Sequence, residues 1–534
     1  MEPTVLIGLD GATFSILDLL VENGTMPFLK QFIKSGVRAQ LLSTPNPLTP
    51  PAWTSLMTGR SPGNHGIIDF IWAEERKTDH YFTLYNFRDI QCETIWSIIS
   101  RQQGNSCVLN FPIMSPPPAI SGCIVPGLVS WKHLRRNIYP PKLYQELKEL
   151  PGFNPKEFAW DFGMEKKAAK GIPRDEYENW ILFHIRRERH WFKIAEYIMQ
   201  KDLPDLMAIL FDGPDKMLHM GWRFLDPSLY PNNPSPWEQR IRDLLLDFFR
   251  ELDGFLAKIV DLAGTRARVF MASDHGFGPA WQVFRVNSWL HKEGYLNWKE
   301  VELTDEKTRK SVDRLVDQHF VLLDWNNTTA YARSLTSNGI YIRVAEEPGQ
   351  GGVPINQYDT FRREMIEKLK ALTDPDTGKP VIKNILTKEE AYPGSHNNQA
   401  PDLTLIMRDH SFISILNKTP IVCRRPEIEG THYPEGIFLA GGPGIRKSLA
   451  TAQLSILDVA PTLLYSLGIH IPSDFEGRLP VEIFETSFFS KHPQQKGGPT
   501  QPPASYALKQ EEYITPEDEE KKIFDQLQAL GYLE

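Results

Sequence analysis

Residues 4–10 read TVLIGLD, a run that is apolar on both faces and ends in an acid. A strand with two apolar faces is typical of a parallel sheet that helices cover on both sides. DLMAILFD at residues 205–212 and ARVFMASD at residues 267–274 have the same character. We therefore predict three buried strands of one sheet, each followed by an aspartate.

Helical patterns alternate with these strands. In WEQRIRDLLLDFFRELDGFLAKIVDLAG, residues 237–264, apolar side chains recur along one helical face, and Gly264 marks the expected end. A second long helix is predicted over about residues 175–200. Alternation of strand and helix predicts an α/β fold with a large, mostly parallel sheet between layers of helices.

Composition narrows the class of protein. The 534 residues are 41% apolar, enough for a large core, and the net charge of -8 argues against a nucleic-acid partner. The N-terminus MEPTVLIGLDG has no basic region or long apolar run, so we expect neither a signal peptide nor a membrane segment. Scattered cysteines indicate free or buried thiols and a cytoplasmic location; they are Cys92, Cys107, Cys123 and Cys423.

Aspartates stand at the ends of all three predicted strands: Asp10, Asp212 with Asp215, and Asp274. Ligand sites of open α/β sheets lie beyond the carboxyl ends of the strands. Carboxylates gathered there repel one another unless cations offset their charge, which favours a metal site. Any single one of these aspartates could instead cap the helix that follows.

Three histidines accompany the aspartates. Asp215 and His219 are four residues apart, so a helix would present both on one face. His275 directly follows Asp274, and His432 lies in the glycine-flanked segment EGTHYPEG. Each of the 14 histidines could be structural, but aspartate and histidine together suit Zn²⁺ or Mn²⁺ better than Ca²⁺ or Mg²⁺.

Thr49 is the candidate nucleophile. In NPLTPPAWTSLMTGRSPGNHG, residues 46–66, it precedes Pro50 and a helical pattern of about two turns that ends at Gly59. Thr49 could simply cap this helix. It could also present its hydroxyl, together with the helix N-terminus, to a phosphate. A bound divalent metal would lower the pKa of that hydroxyl and permit attack on phosphorus.

Together these segments resemble the type I phosphodiesterase / nucleotide pyrophosphatase family of the alkaline phosphatase superfamily, in particular its cytoplasmic branch of predicted phosphohydrolases and phosphomutases. The matching segments, in order between residues 4 and about 478, are VLIGLDG, TPPAWTSLMTGRSPGNHGI, DGPDKMLH, SDHGFG, GTH with GIFLAGGPGI, and ILDVAPTLLYSLGI with DFEGR. The resemblance implies an alkaline phosphatase-like fold with cap insertions. The sulfatase and monoesterase branches are disfavoured because TPPAW lacks their nucleophile.

The resemblance also implies two divalent metal ions, Zn²⁺ with Mn²⁺ as the alternative. One ion would be held by Asp215, His219 and His432. The other would be held by Asp10, Asp274, His275 and the Thr49 oxygen. Thr49 would attack phosphorus in line to form a phosphothreonine, which water activated at the opposite metal would hydrolyse.

The substrate is less well defined. The asparagine with which this family binds phosphate corresponds here to Phe70, in HGIIDF. Lys216, Asn64 and His65 are candidate replacements, although a solvated surface lysine is the favoured alternative for Lys216. We expect a small-molecule phosphoester, with diester or pyrophosphate-type bonds ahead of monoesters. Two alternatives stay open: a phosphomutase or phosphotransferase, and a catalytically inactive metal-bearing binding protein.

The predicted domain organisation is simple. Residues 1–484 form one catalytic domain, with insertions around 111–200 and 295–400 that would cover the site. Residues 485–514 are rich in Pro, Gly and Gln, as a linker would be, and residues 515–534 predict a short helix.

Overall fold

The computed structural model describes residues 2–75, 80–158, 176–299, 322–334, 336–345, 351–451 and 453–503. The helices within these ranges are α1 Phe14–Glu22, α2 Pro27–Ser35, α3 Thr49–Thr58, α4 Pro62–His65, α5 Ile95–Arg101, α6 Leu134–Asn137, α7 Pro141–Lys148, α8 Pro155–Phe158, α9 Tyr177–Lys201, α10 Gly213–Leu225, α11 Pro236–Ala263, α12 Val286–Lys292, α13 Tyr358–Lys370, α14 Lys388–Ala391, α15 Val459–Ser466 and α16 Thr486–Lys491. None of the helices in this part of the chain has the length and apolar character needed to cross a bilayer.

The strands in the same ranges are β1 Thr4–Leu9, β2 Val37–Leu42, β3 Ile71–Glu75, β4 His80–Leu84, β5 Ser106–Leu109, β6 Gly122–Val125, β7 Leu206–Phe211, β8 Arg268–Ala272, β9 Gly276–Phe284, β10 Ala330–Tyr331, β11 Gly339–Ile342, β12 Val344–Ala345, β13 Val353–Pro354, β14 Ile382–Thr387, β15 Leu403–Met407, β16 Val422–Tyr433, β17 Glu435–Gly441, β18 Leu449–Ala450 and β19 Leu454–Ser455.

One mixed sheet contains nine of the described strands, in the order β18–β2–β17–β8–β1–β7–β5–β6, with β19 also paired to β2. The run β8–β1–β7–β5–β6 is parallel, and β17 is antiparallel to both β8 and β2. The three strands predicted from sequence are β1, β7 and β8, and they are direct neighbours. The predicted α/β fold with a mostly parallel sheet is therefore confirmed.

Helices cover both faces of this sheet. Val5, Ile7 and Leu9 of β1 face a core that includes α1, α2, α9, α10 and α11. Leu6, which points to the opposite face, packs with α3, α5 and α15. Because successive side chains of a strand point to opposite faces, burial on both sides requires an apolar residue at every position. This requirement explains the uninterrupted apolar runs.

The two long predicted helices are confirmed as α9 and α11. Helix α11 begins after Ser235, which forms a capping box with Glu238, and ends at Gly264, whose φ is 78°. Helix α9 belongs to the insertion predicted around 111–200 and packs against α10 and α11. It thereby brings part of that insertion to the carboxyl edge of the sheet.

A second, four-stranded sheet, ordered β10–β11–β15–β14, lies largely in the insertion predicted around 295–400. Its core includes Ile340, Met365 and Leu403 together with Phe70 and Trp289 from outside the insertion. The insertion therefore packs directly on the main body of the protein through shared apolar side chains.

The cysteine prediction is wrong for one pair. Cys107 in β5 and Cys123 in β6 are register partners on adjacent parallel strands, with Cα atoms 4.6 Å apart, and they form a disulfide. Cys92 and Cys423 are free. Strand pairing joins two cysteines that the sequence separates by 16 residues. Cysteine usage thus lends no support to a cytoplasmic location, which stays a prediction.

Part of the segment predicted as a linker, residues 485–514, is folded against the body. It contains α16, and Thr500 donates to Asp474 from its backbone N–H at 2.8 Å and its hydroxyl at 2.6 Å. The backbone N–H of Gln501 donates to Glu93 at 3.1 Å. Residues 504–534, with the helix predicted at 515–534, lie outside the described residues.

Candidate functional site

The carboxyl ends of β1, β7 and β8 are level with one another. Leu9 pairs with Phe211 and Gly8 with Ala272, so the aspartates that follow these strands emerge side by side. Gly11 makes the turn after Asp10 with a φ of 66°, and a Cβ there would lie 2.6 Å from the Phe277 ring. A glycine is therefore required where the chain turns into the site.

Asp215, His219 and His432 form the first buried group. His432 Nε2 lies 3.1 Å from Asp215 Oδ1 and 3.0 Å from His219 Nε2, and His219 Nε2 lies 3.3 Å from the same oxygen. Asp215 and His219 are one turn apart on α10, as their spacing predicts. Two imidazole nitrogens and a carboxylate oxygen this close together could hold a metal ion, and this donor set suits zinc.

The antiparallel ribbon β9–β16 brings His432 to this edge. In its register His432 pairs with Phe277, two residues beyond His275. The rings of His275 and His432 stack with centroids 3.6 Å apart. His432 Nδ1–H donates to the Pro47 carbonyl at 2.8 Å, which leaves Nε2 with the lone pair that a metal ligand needs.

Asp10, Asp274 and His275 form the second group. His275 Nε2 lies 3.5 Å from Asp10 Oδ1 and 3.3 Å from Asp274 Oδ2. These three atoms are buried and have no hydrogen-bond partner among the described residues. His275 Nδ1–H donates to the Gly276 carbonyl at 3.0 Å, so Nε2 carries a lone pair. Acceptors that face one another in a buried site fit a bound cation, because without one they are neither paired nor neutralised.

Asp215 lies between the two groups. Its Oδ1 is 4.0 Å from His275 Nε2, and Asp10, Asp215 and His275 form a further cluster that could hold a metal ion. The family resemblance assigned Asp215 to one metal alone, whereas the structure brings it close to both groups. The two groups therefore adjoin, as an in-line displacement assisted by two metals requires.

Burial governs the electrostatics of these side chains. It raises the pKa of Asp10 well above its ordinary value, and the charges of Asp274 and Asp215 raise it further. Burial also raises the pKa of Asp274 well above the usual range. It lowers the pKa of His275 and His432, so both imidazoles are neutral at pH 7. Neutral imidazoles are the form that binds metal ions.

Lys216 is buried rather than solvated, so the surface alternative for this lysine is wrong. Its Nζ lies 2.9 Å from Asp215 Oδ2, on the side of the carboxylate that faces away from His219 and His432. Burial would raise the pKa of Asp215, but the charges of Lys216 and His219 hold that pKa well below its usual range. Lys216 thus keeps Asp215, a candidate metal ligand, ionised. A contact of Lys216 with substrate stays a prediction.

Asn64 and His65 both lie in α4 and contact residues outside the two groups. The Asn64 amide donates to Glu476 at 2.9 Å. His65 Nε2 lies 2.9 Å from Ser55 Oγ, and its Nδ1 accepts the N–H of Ile67 at 3.1 Å. Both side chains form hydrogen bonds within the protein, and their contact with substrate stays a prediction.

Thr49 is the first residue of α3, partly exposed, and Leu48 occupies the N-cap position without a side-chain cap. The helix-cap interpretation of Thr49 therefore finds no support. Because Pro50 and Pro51 lack an N–H, Thr49 supplies the one backbone donor among the first three residues of this helix. An anion bound here would depend on cations more than on helix N–H groups.

Contacts on either side of Thr49 join α3 to both groups. Two residues before it, the Pro47 carbonyl accepts from His432. One turn after it, Trp53 Nε1 donates to Asp10 Oδ2 at 3.2 Å. In the sequence, Thr49 thus lies between Pro47, which contacts the first group, and Trp53, which contacts the second. Sequence reasoning missed Trp53, because nothing in the local pattern marks an indole as a donor to a distant strand end.

Phe70 is buried in the apolar core of the smaller sheet, so it offers no polar anchor for a phosphate. The neighbouring Asp69, also buried, accepts hydrogen bonds from Ser334 at 2.7 Å and from Thr336. Asp69 therefore joins the main body to the insertion through hydrogen bonds, a role that the sequence did not indicate.

Comparisons with known proteins agree with this architecture. A model of the family "Type I phosphodiesterase / nucleotide pyrophosphatase" matches residues 4–434. No curated protein sequence gives a significant match.

Similar solved structures have low sequence identity. Murine ectonucleotide pyrophosphatase / phosphodiesterase 5, an inactive form in complex with AMP, has 15% identity and a TM-score of 0.53 over 91% of this chain and 100% of that chain. Its human counterpart has 16% identity and a TM-score of 0.52 over the same shares. Phosphonoacetate hydrolase from Sinorhizobium meliloti 1021, in complex with phosphonoformate, has 15% identity and a TM-score of 0.53 over 88% of this chain and 95% of that chain. These likenesses show a shared fold.

Proposed function

Because the chain belongs to the type I phosphodiesterase / nucleotide pyrophosphatase family, we propose that it is a metal-dependent phosphoric-ester hydrolase with Thr49 as its nucleophile. Family membership supports phosphoester hydrolysis as the class of reaction. The observation that carries the proposal is the pair of adjoining buried groups, in which Asp215 Oδ1 lies 3.1 Å from His432 Nε2 and 4.0 Å from His275 Nε2.

In this proposal each group holds one divalent cation, Zn²⁺ or Mn²⁺. The first would be bound by Asp215, His219 and His432, and the second by Asp10, Asp274, His275 and the Thr49 oxygen. Such cations supply Lewis-acid charge for the phosphoryl oxygens and lower the pKa of the Thr49 hydroxyl. The unpartnered oxygens of Asp10 and Asp274 support this assignment.

The chain's own residues would then carry two displacements. Thr49 Oγ, its proton lost to solvent, forms a bond to phosphorus while the bond from phosphorus to the leaving oxygen breaks. The leaving oxygen keeps that electron pair and takes up a proton. Water next attacks the phosphothreonine, the bond between phosphorus and Oγ breaks, and Thr49 regains its proton. Trp53 and Pro47, through Asp10 and His432, would hold the start of α3 in place during both steps.

Phosphodiesters and pyrophosphate-type bonds are the substrates we place first. The apolar Phe70, buried where the family has its phosphate-binding asparagine, leaves cations to bind the phosphoryl oxygens. AMP bound to the murine relative and phosphonoformate bound to phosphonoacetate hydrolase suggest nucleotides and phosphonates as the next compounds to assay.

The test combines metal analysis with a substrate screen on the full chain. We expect two divalent ions per chain after reconstitution, and metal-dependent hydrolysis in a screen of p-nitrophenyl diester, monoester, phosphonate and sulfate compounds. Added acceptor alcohols would reveal phosphoryl transfer. Fewer than two bound ions would contradict the ligand scheme.

A matched pair of variants tests the nucleophile. Thr49→Val and Thr54→Val each remove one hydroxyl from α3 with little change of shape, and the Thr54 hydroxyl merely donates to the Pro50 carbonyl at 2.7 Å. Thr49→Val should lose hydrolysis by about 10³-fold or more and keep its metal, whereas Thr54→Val should keep both. Full metal-dependent activity in Thr49→Val would show that another group attacks phosphorus.

A further inference from the structure

Two adjacent residues of α9 contact the start of α10. Arg187 Nη1 donates to both carboxylate oxygens of Asp212, each at 2.6 Å. Glu188 Oε1 accepts the backbone N–H of Gly213 at 2.5 Å. Asp212 is the N-cap of α10 and Gly213 is its first residue, so this pair holds both positions at which the helix begins.

The arrangement replaces ordinary capping. The Asp212 side chain does not cap its own helix, and Glu188 supplies the acceptor for the helix N–H from outside. Asp212 is instead held between Arg187 and Asn110, whose amide donates to Asp212 Oδ1 at 3.2 Å and to the Leu210 carbonyl at 2.9 Å. The carboxylate is therefore fixed from two sides.

These contacts are buried and closely fitted. Arg187 and Glu188 are each 2% exposed, so solvent cannot replace either contact if the side chain is removed. A Cβ at Gly213 would overlap Glu188 Oε1, so only glycine permits this approach of helix backbone and carboxylate. Removal of Arg187 would leave the buried Asp212 carboxylate without its charged partner. Removal of Glu188 would leave the Gly213 N–H without its acceptor.

The helix held in this way carries Asp215 and His219, three and seven residues beyond Asp212. A helix transmits a shift or rotation of its first turn directly to side chains in that turn and the next. Metal ligation tolerates displacements of only a few tenths of an ångström, and residues that orient ligands typically affect metal affinity 10–100-fold.

We propose that Arg187 and Glu188 are positioning residues that set the metal affinity of the group Asp215, His219 and His432 by fixing the first turn of α10. This inference rests on the proposed function, because it presupposes that the group binds metal. In this role the insertion helix α9 helps to assemble the metal-binding group.

The variants separate positioning from general stability. Arg187→Met and Glu188→Met remove the two contacts at similar volume. Glu188→Gln keeps an oxygen that can accept the Gly213 N–H, and Arg187→Lys keeps the charge with a single donor group. Arg189→Met is the matched control, since Arg189 lies on the same helix and pairs with Glu251 near the surface.

The primary measurement is Zn²⁺ affinity of the full chain by competition with a chromogenic chelator, alongside Tm and steady-state kinetics. We expect about 10–100-fold weaker Zn²⁺ binding in both methionine variants, and an affinity within about threefold of wild type in Glu188→Gln and Arg189→Met. At limiting Zn²⁺ the methionine variants should lose kcat while KM changes little, and excess Zn²⁺ should restore much of kcat.

Wild-type Zn²⁺ affinity in Arg187→Met and Glu188→Met, with Tm lowered, would show a purely structural contact and overturn the inference. If the methionine variants do not fold, Arg187→Lys provides the test. It should bind Zn²⁺ several-fold more weakly than wild type, and an affinity equal to that of wild type would overturn the inference. A wild-type chain that binds Zn²⁺ without hydrolysing any ester would contradict the proposed function alone. A wild-type chain that binds no Zn²⁺ would overturn both.

Discussion

The indole N–H of Trp53 donates to Asp10 Oδ2 at 3.2 Å, although Trp53 lies in α3 and Asp10 directly follows β1. Trp53 also packs on Gly8, where a Cβ would lie 2.7 Å from the indole. The other oxygen of Asp10, Oδ1, faces His275. The indole therefore orients the carboxylate so that one oxygen is held by the protein and the other is directed into the site.

The first prediction concerns this hydrogen bond. Trp53→Phe removes the donor to Asp10 but keeps an aromatic ring against Phe111, so we expect about tenfold weaker metal binding with a small change in Tm. Trp96→Phe is the control, because Trp96 packs on the same Phe111 ring and its Nε1 has no partner among the described residues. Equal metal affinities of the two variants, measured by chelator competition, would contradict the orienting role.

The second prediction concerns pH and Lys216. Burial raises the pKa of Asp215, and the neighbouring Lys216 charge counteracts this effect and lowers it. In Lys216→Met, Asp215 should therefore take up a proton at higher pH, and the acid limb of the kcat/KM profile should move to higher pH. Lys201→Met, which breaks an exposed pair with Glu146, should leave the profile unchanged. An acid limb at the wild-type position in Lys216→Met would refute the coupling.

The third prediction concerns stability and His65. Burial lowers the pKa of His65 from 6.5 to about 3, so the folded protein holds it neutral. The buried, neutral His65 therefore stabilises the fold fully above pH 6.5, which is the pKa of this side chain in the unfolded chain. This stabilisation is lost as pH falls below 6.5. Each pH unit below 6.5 lowers the free energy of unfolding by about 1.4 kcal/mol. Between pH 7.5 and 5, wild type should lose about 2 kcal/mol more unfolding free energy than His65→Gln.

Urea unfolding at the two pH values measures this difference. The control is His470→Gln, because His470 is exposed to solvent and its replacement should leave the wild-type pH dependence in place. Parallel pH dependences for wild type and His65→Gln would show that His65 does not remain neutral in the folded state.

The fourth prediction concerns metal removal. In the metal-free protein burial raises the pKa of Asp10 and Asp274, and the charge of Asp215 raises both further. Groups with a raised folded pKa stabilise the fold below the unfolded pKa, and that stabilisation is lost as pH rises through the folded pKa. The Tm of chelated protein should therefore fall as pH rises from 5 to 8, and the Tm of metal-loaded protein should not.

Thermal scans with and without chelator measure the gap in Tm. In Asp10→Asn, which removes one of the charges, the Tm of the chelated form should depend less on pH. A gap of constant size across this pH range would mean that the pKa values of Asp10 and Asp274 are not raised in the metal-free state.

Much of the site was accessible from sequence because its parts have local patterns. An apolar run that ends in an acid predicts a buried strand with a polar end, and a spacing of four places Asp215 and His219 on one helical face. Neighbouring parallel strands bring such ends to one edge of the sheet. These arguments needed no knowledge of which distant segments pair.

The parts that sequence missed depend on such pairing. The disulfide between Cys107 and Cys123 follows from the register of β5 against β6, which no local pattern specifies. The contact of Arg187 with Asp212 follows from the packing of α9 on α10, and a basic stretch of helix looks the same whether it is solvated or buried. Thr49 was expected as a possible cap, but the helix begins one residue earlier than that, with Leu48 at the N-cap position.

The position of β2 in the main sheet has a consequence for biosynthesis. Within the described part of the chain, β2 pairs only with β17, β18 and β19, whose residues begin at Glu435. A chain emerging from the ribosome therefore carries β2 without a partner through most of its translation, and β8, once synthesised, also lacks its second neighbour until β17 is made. Unpaired strand edges recruit other chains. A nascent or truncated chain that ends before Gly441 should thus depend on chaperones, and completion of the sheet is an event that follows synthesis of β17.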